Sequence, residues 1–258
     1  MLLAIDVGNT NIVIGVFKDG RLDRSWRLTT LRERTADELG ILVTHLCEHH
    51  GIASTDITGV VMASVVPPLT ATVAAMVRTY FGRTPLNVDP AGNCGMPVLY
   101  DNPAEVGADR VVNGVAAYEK YGRAEGRPVI VVDFGTATTF DAISAAGEYL
   151  GGVICPGPQI SADALFQRAA RLPRIEVRKP ARVIGRNTVG SMQAGLFWGY
   201  VDMVDGLVRR MQAELGGNAV VVATGGLAET VSPETAFTPH VDAELTLEGL
   251  RIVWERNQ

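Results

Sequence analysis

Short apolar runs alternate with amphipathic stretches along the chain, and one arrangement of them occurs twice. An apolar run at residues 2–5 ends at Asp6-Val7-Gly8, and another at residues 129–132 ends at Asp133-Phe134-Gly135. A second apolar run, a turn and a third run follow each glycine. Apolar runs of this length, bounded by turn residues, are typical of buried strands. The pattern therefore predicts the same three-stranded unit in both halves of the chain.

Between these units, apolar residues recur at helical spacing. Thr35 and Glu38 fit a capping box ahead of an apolar stripe that begins at Leu39. Further helices are predicted over residues 69–81, 107–121, 161–172, 189–215 and 245–254, and further strands over 59–66, 86–88 and 220–223. This alternation predicts an α/β fold with two similar domains of mixed β-sheet flanked by helices. A polar link at residues 123–127 divides them into domains of residues 1–122 and 123–258.

Composition narrows the class of protein. The chain of 258 residues is 47% hydrophobic and 20% charged, which is typical of a globular protein with a sizeable core. Its net charge of -5 argues against nucleic acid or an anionic membrane as the main partner. The 3 cysteines are too few and too widely spaced for a disulfide framework or a zinc cluster. Without an apolar run of about 18 residues or a cleavable leader, we expect a cytoplasmic protein.

The two glycine turns are candidates for binding phosphate. A hydroxyl-rich glycine turn presents backbone N–H groups to anions, and an aspartate beside it can hold a metal ion. One such turn alone more often marks an ordinary hairpin. The repetition of the whole pattern favours two turns facing one another across a cleft, which suits a nucleoside triphosphate.

A second candidate site lies at the predicted start of a helix. Asp109 and Arg110 follow Gly107 there. Helix N-termini favour anions, and an arginine can grip a carboxylate with two parallel hydrogen bonds. Asp109 could accept the proton of a substrate hydroxyl. Taken alone, however, the stretch fits a capped helix with a surface ion pair equally well.

A zinc-protease pattern also occurs, at His45-Leu46-Cys47-Glu48-His49. The two histidines lie four residues apart, on one face of the predicted helix, as metal ligands do. A solvated helix face explains the match as well, because the pattern is short.

Together, these segments resemble those of the type III pantothenate kinases, a family within the superfamily of acetate and sugar kinases, Hsp70 and actin. The resemblance runs from end to end and rests on residues 6–11, 107–110, 133–137, 151–157, 187–188 and 224–226. The Gly-Ala-Asp-Arg segment is the most distinctive, since Asp-x-Gly turns occur throughout the superfamily. The resemblance implies an actin-like ATPase (ribonuclease H-like) fold for each domain.

The resemblance also implies an activity, the ATP-dependent phosphorylation of pantothenate to 4'-phosphopantothenate, which is the first step of coenzyme A biosynthesis. It makes Asp109 the catalytic base, Asp133 the ligand of a monovalent cation (K+ or NH4+), and Asp6 a ligand of Mg2+, directly or through water. The implied ATP-binding residues are Asp6, Val7, Gly8, Asn9, Thr10, Asn11, Ile12, Val13 and Thr136. The implied pantothenate-binding residues are Tyr100, Gly107, Ala108, Asp109, Arg110 and Thr188. The family forms homodimers, with the site for the acid near the subunit interface.

Phosphoryl transfer depends mainly on positioning and charge neutralisation, so an ordinary carboxyl pKa of about 4 suffices for Asp109. Two other interpretations remain open. The protein could be another small-molecule kinase of the superfamily, acting on a sugar or a carboxylate, or a relative that keeps the fold without catalysis. The presence of Asp6, Asp109 and Asp133 disfavours the second, because loss of activity usually removes such a carboxylate.

Overall fold

A computed structural model describes all 258 residues, which form two compact units. The first unit consists of residues 1–116 and 244–258, and the second of residues 117–243. The strands are β1 Leu2–Val7, β2 Asn11–Lys18, β3 Arg21–Thr29, β4 Gly59–Ser64, β5 Leu86–Asn87, β6 Val129–Phe134, β7 Ala137–Ile143, β8 Tyr149–Pro156, β9 Val220–Gly225 and β10 His240–Val241. The helices are α1 Ala36–His49, α2 Pro67–Phe81, α3 Ala108–Ala117, α4 Pro158–Arg168, α5 Thr188–Glu214, α6 Ala228–Val231 and α7 Leu245–Arg256.

The two sheets share one topology. The first has the order β3-β2-β1-β4-β5 and the second the order β8-β7-β6-β9-β10. In each, the central strand pairs antiparallel with the next strand of the chain and parallel with the strand on its other side. The expected α/β fold with two similar domains of mixed sheet is therefore confirmed, and so is the repeated three-stranded unit.

The core of each unit lies where helices cover a sheet. In the first unit, Leu3 and Ile5 of β1 pack in one cluster with Leu39 of α1 and Leu69 of α2. The capping box that starts α1 is present, with the Glu38 backbone N–H donating to Thr35 Oγ1 at 3.2 Å. In the second unit, residues of β6 pack against Phe197, Tyr200 and Val201 of α5. None of the helices is both long and apolar enough to cross a bilayer.

The division of the chain differs from the one expected at residue 122. The chain leaves the first unit after Ala116, within the run of helix that α3 begins, and returns to it at Glu244. Helix α7 belongs to the first unit because it packs closely on β4, where a Cβ added to Gly59 would lie 2.3 Å from the Trp254 ring. The sequence pattern locates α7 correctly but does not show which sheet it covers. Strand β10 also escaped prediction, because only two residues form it.

Helix α7 also supports α3. A Cβ added to Gly249 of α7 would lie 2.1 Å from the carbonyl oxygen of Val112, so the two helices are in close contact at this glycine. The Thr246 hydroxyl donates a hydrogen bond to Asn113 Oδ1 at 2.7 Å. These contacts fix the helix whose first turn carries Asp109.

Candidate active site

The first glycine turn connects β1 and β2, and its shape is fixed by its own backbone and by Thr30. The Gly8 N–H donates to the Asn11 carbonyl oxygen at 3.0 Å, and a Cβ on Gly8 would lie 3.0 Å from the same oxygen. The Thr30 hydroxyl donates to the Gly8 carbonyl at 2.7 Å, and the Thr30 N–H donates to the Thr10 carbonyl at 2.9 Å. Asn9 and Thr10 form the exposed tip. The turn therefore offers a preformed, solvent-facing backbone to an anion.

Residues on either side of this turn differ in what they can offer a nucleotide. Asp6, near the end of β1, is partly buried. The side chains of Val7 and Ile12 are 0% and 2% exposed and belong to the core, so these two residues can meet a ligand only through their backbone. Asn11 and Val13 are partly buried at the start of β2.

The first turn of α3 holds Asp109 in a defined position. The Gly107 carbonyl accepts hydrogen bonds from the N–H groups of Arg110 at 3.1 Å and Val111 at 3.3 Å. Asp109 Oδ1 accepts a hydrogen bond from the Arg110 N–H at 2.8 Å. A Cβ on Gly107 would lie only 2.5 Å from this same Oδ1, so the conformation requires glycine at that position.

Burial perturbs the titration of Asp109. Desolvation raises the pKa of Asp109, and this effect outweighs the lowering by the Arg110 N–H and by the Arg110 guanidinium. An ordinary carboxyl pKa would suffice for a base in phosphoryl transfer, and the pKa of Asp109 lies above that value. The Arg110 side chain, 8% exposed, is itself buried, and Ala108 is 6% exposed. A partly buried carboxyl with a raised pKa is a stronger base than an exposed one, and such groups are typical of active sites.

The first glycine turn and the start of α3 meet at the same edge of the first sheet. Val65 follows β4, and its N–H donates to the Val7 carbonyl at the end of β1 at 3.1 Å. The Cγ1 atom of Val65 lies 3.5 Å from the position of a Cβ on Gly107. This edge is formed by the carboxyl ends of the parallel strands β1 and β4, where open α/β sheets bind their ligands.

Tyr100 is on the surface ahead of this helix. It is 36% exposed and precedes a short 3-10 turn, Pro103–Glu105. The Asn102 side chain donates to Glu105 Oε1 at 2.9 Å across that turn. The phenol of Tyr100 is therefore accessible to a ligand.

The second glycine turn gathers three segments of the second unit. Asp133 is partly buried near the end of β6, and Thr136 is exposed. A Cβ on Gly225, at the end of β9, would lie 2.5 Å from Asp133 Oδ1, so any side chain there would displace this oxygen. A Cβ on Gly157 would lie 2.3 Å from the Thr136 carbonyl, to which the Gly157 N–H donates at 3.2 Å. The segments around Gly157 and Gly225 thus shape the turn that carries Asp133 and Thr136.

Thr188 is the first residue of α5 and is exposed. The side chain of Asn187 caps this helix by accepting the Gly190 N–H at 2.7 Å, as the sequence predicts. Thr188 thus stands at a helix N-terminus, where an anion is favoured. The residues of the zinc-protease pattern form no metal site, since no group of three or more His, Cys, Asp and Glu side chains in the structure could hold a metal ion.

Comparison with known proteins identifies the family. A family model described as type III pantothenate kinase matches residues 2–210. A type III pantothenate kinase of Moorella thermoacetica is 56% identical to this chain over 257 residues, covering 100% of both chains. Another, of Myxococcus xanthus, is 59% identical and covers 100% of this chain and 99% of its own length.

The fold is that of the actin-like ATPases and sugar kinases. Component A of (R)-2-hydroxyglutaryl-CoA dehydratase from Acidaminococcus fermentans has this fold, with a TM-score of 0.57 and 12% identity, covering 100% of this chain and 99% of that one. At such low identity the likeness concerns the fold alone. The family follows from the match over residues 2–210 and from the full-length identities above. This chain belongs to the type III pantothenate kinase family.

Proposed function

We propose that this protein transfers the γ-phosphoryl group of ATP to the primary hydroxyl of pantothenate, giving 4'-phosphopantothenate in the first step of coenzyme A biosynthesis. One observation carries the proposal. A relative named for this activity is 56% identical over the full length of both chains. The reaction takes place in the cytoplasm, where its co-substrate ATP is found.

Asp109 is the catalytic base in this proposal. As the pantothenate hydroxyl oxygen forms its bond to the γ-phosphorus, the bond from that phosphorus to the bridging oxygen of ADP breaks, and the hydroxyl proton passes to Asp109. Two observations support this role: the hydrogen bond from the Arg110 N–H, which orients the carboxylate, and the burial that raises the pKa of Asp109. General-base catalysis of this kind contributes on the order of 10²–10⁴-fold.

The ATP phosphates bind at the first glycine turn, residues 6–13, and Thr136 of the second turn contacts the nucleotide. The exposed tip at Asn9 and Thr10 supports this assignment. Asp6 supplies an oxygen ligand for Mg2+, directly or through water, because hard divalent cations prefer carboxylate oxygens. When bound, Mg2+ neutralises charge on the phosphates.

Asp133 holds the monovalent cation, K+ or NH4+. The residues around it fit such an ion, because Gly225 leaves room for Asp133 Oδ1 and a carboxylate oxygen is a suitable ligand for a hard cation. When bound, the cation offsets phosphate charge near the second glycine turn.

Pantothenate is held by the start of α3 together with Tyr100 and Thr188. Arg110 binds the pantothenate carboxylate, and its planar guanidinium matches that group with two parallel hydrogen bonds. The position of Arg110 in the first turn of α3 supports a binding role, since the N-terminus of a helix favours an anion. The competing assignment of Arg110 to the transferred phosphate predicts a loss of turnover instead of affinity.

We also propose a homodimer, with α5 at the interface. An open groove of about 500 Å³ is lined by Ile184, Gly195, Trp198 and Gly199 among others. Ile184 is 84% exposed, and side chains at Gly195 and Gly199 would meet no atom within 4 Å. An exposed isoleucine beside two glycines of α5 that have no side chains in the way could pack against the same helix of a second copy. Ile184→Glu should convert the dimer into a monomer by analytical ultracentrifugation, and a monomeric wild type would refute the proposal.

The decisive test of the activity is direct measurement of 4'-phosphopantothenate by mass spectrometry. Purified protein should form it from ATP and pantothenate, and should leave sugars and short-chain carboxylates unphosphorylated. The Asp109→Asn variant serves as the control for contaminating kinases. Phosphorylation of another acceptor in preference to pantothenate would reject the proposal in favour of a different small-molecule kinase.

A further inference from the structure

Thr30 directly follows β3 and is joined to the first glycine turn by two hydrogen bonds. Its hydroxyl donates to the Gly8 carbonyl oxygen at 2.7 Å, and its backbone N–H donates to the Thr10 carbonyl oxygen at 2.9 Å. Thr30 lies 22 residues after Gly8 in the chain and is partly buried. One residue of the third strand segment therefore fixes the direction of two carbonyl groups in the turn.

The bond to the Gly8 carbonyl also determines where the next N–H group points. A peptide unit is planar and trans, so its carbonyl and its N–H group point in opposite directions. The Gly8 carbonyl shares a peptide unit with the Asn9 N–H. Because that carbonyl is directed toward Thr30, the Asn9 N–H is directed away from Thr30, and Asn9 is exposed. Backbone N–H groups that are oriented in this way in a turn bind anions.

The second glycine turn is built in the same way but lacks such a hydroxyl. Gly157 directly follows β8 as Thr30 follows β3, and its N–H donates to the Thr136 carbonyl at 3.2 Å. Glycine has no hydroxyl to donate to the Gly135 carbonyl, and a Cβ on Gly157 would lie only 2.8 Å from that oxygen. The same three-stranded unit therefore forms without a side-chain bond at this position. The Thr30 hydroxyl exceeds what the fold requires, which indicates a role in the chemistry of the first turn.

We propose that Thr30 is a positioning residue for phosphoryl transfer, which directs the Asn9 N–H at the ATP phosphates without contacting the nucleotide itself. The inference rests on the proposed function, from which it takes the ATP site at the first glycine turn. A turn that already has its binding conformation loses little conformational freedom when ATP binds. Without the hydroxyl, the Gly8–Asn9 peptide unit is free to rotate, and its bond to the phosphate weakens. Positioning dominates phosphoryl transfer, so the loss should affect ATP and leave pantothenate binding unchanged.

The test compares the wild type with Thr30→Val, Thr30→Ser and Thr44→Val. Thr30→Val keeps the branched shape and the backbone N–H but removes the hydroxyl, whereas Thr30→Ser keeps the hydroxyl. Thr44→Val is the matched control, because the Thr44 hydroxyl also donates at 2.7 Å to a glycine carbonyl, that of Gly40 in α1. Binding of ATP with Mg2+ is measured without pantothenate, from the concentration that raises the Tm by a set amount. Steady-state kinetics then give kcat and the KM for each substrate.

Thr30→Val should need about tenfold more ATP for the same rise in Tm, which is the scale of one lost hydrogen bond, and its KM for ATP should rise similarly. Its KM for pantothenate should not change. Thr30→Ser should restore ATP binding to near the wild-type value. Whatever its Tm without ligand, Thr44→Val should bind ATP and turn over as the wild type does.

The possible outcomes separate this inference from the proposed function. Normal ATP binding by a folded Thr30→Val overturns the role of Thr30, and so do equal losses for ATP and pantothenate, which indicate general damage to the first unit. If valine prevents folding, Thr30→Ala, which also lacks the hydroxyl, decides the question. A wild type that binds ATP but forms no 4'-phosphopantothenate overturns the proposed acceptor, while the ATP-binding comparison still decides the role of Thr30. A wild type that does not bind ATP overturns both.

Discussion

Replacing Gly107 by alanine tests whether the exact position of the Asp109 carboxylate determines turnover. The added Cβ would lie 2.5 Å from Asp109 Oδ1, whereas ordinary van der Waals contact begins at 3.4 Å. The carboxylate must therefore move by about 0.9 Å, and a misplacement of about 1 Å can cost on the order of 10²-fold in rate. We expect kcat to fall by about 10²-fold, which corresponds to about 2.7 kcal/mol of transition-state stabilisation.

The effect on folding should be small by comparison. Gly107 precedes α3, where alanine is less favourable than glycine by about 1 kcal/mol or less. Gly206, within α5, provides the matched control, because a Cβ there would meet no atom within 4 Å. Gly206→Ala should keep wild-type turnover and gain a little stability from the better helix propensity of alanine.

Turnover is best measured by mass spectrometry of 4'-phosphopantothenate, with Tm recorded for the same samples. A Gly107→Ala variant that is folded and turns over at the wild-type rate would refute the reasoning. In that case, either Asp109 is not the base or its carboxylate does not need the conformation that the Arg110 N–H imposes. A loss of kcat with a matching loss of Tm would instead indicate general damage to α3.

Four further predictions concern the charged residues. Asp109→Asn keeps the shape and the hydrogen bond to the Arg110 N–H but cannot accept a proton, so kcat should fall at least about 10²-fold while the KM for pantothenate changes little; near-normal turnover would remove Asp109 from the base role. Arg110→Lys keeps the charge and loses the bidentate geometry, so the KM for pantothenate should rise about tenfold and discrimination against pantothenamides should weaken, whereas a normal KM with low kcat would place Arg110 on the phosphate. Activity should be low in sodium buffers and rise with K+ or NH4+, and Asp133→Ala should abolish that response; equal rates in all monovalent salts would contradict the cation site. Burial raises the pKa of Asp109 above 3.8. As the pH rises from below 3.8 through the raised pKa, the wild type should therefore lose stability relative to Asp109→Asn, and at higher pH the difference in Tm should stay level. A difference in Tm that is constant at every pH would show that the pKa is not raised.

Local patterns predicted most of the fold. The two Asp-x-Gly turns each follow an apolar run, and both runs form the central strand of a five-stranded sheet. The sequence could not show which segments distant in the chain come into contact. Helix α7 has an ordinary amphipathic pattern, and its assignment to the first unit depends on non-local contacts such as those with Gly59 and Val112. The two residues of β10 owe their strand geometry to pairing with β9.

The candidate site was predictable to a similar extent. Asp109 stands out in the sequence because it follows Gly107 at the predicted start of a helix. Asp133 stands out because it precedes Gly135 at the predicted end of a strand. The raised pKa of Asp109 was not predictable, because it depends on how far the folded chain buries the carboxyl group.

The proposed role of Asp109 as a base has a cost in folding stability. Keeping Asp109 ionised in a desolvating environment opposes folding at neutral pH, as the direction of its pKa shift shows. Two features limit that cost: the Arg110 N–H donates to the carboxylate, and the Arg110 guanidinium favours its charged form. Gly107 also determines where the carboxylate lies, because any side chain at that position would push the carboxylate away. A helix that served only to cap and pack would need neither the glycine nor the buried carboxylate, so the combination is best explained by a requirement for an oriented base at this point of the sheet edge.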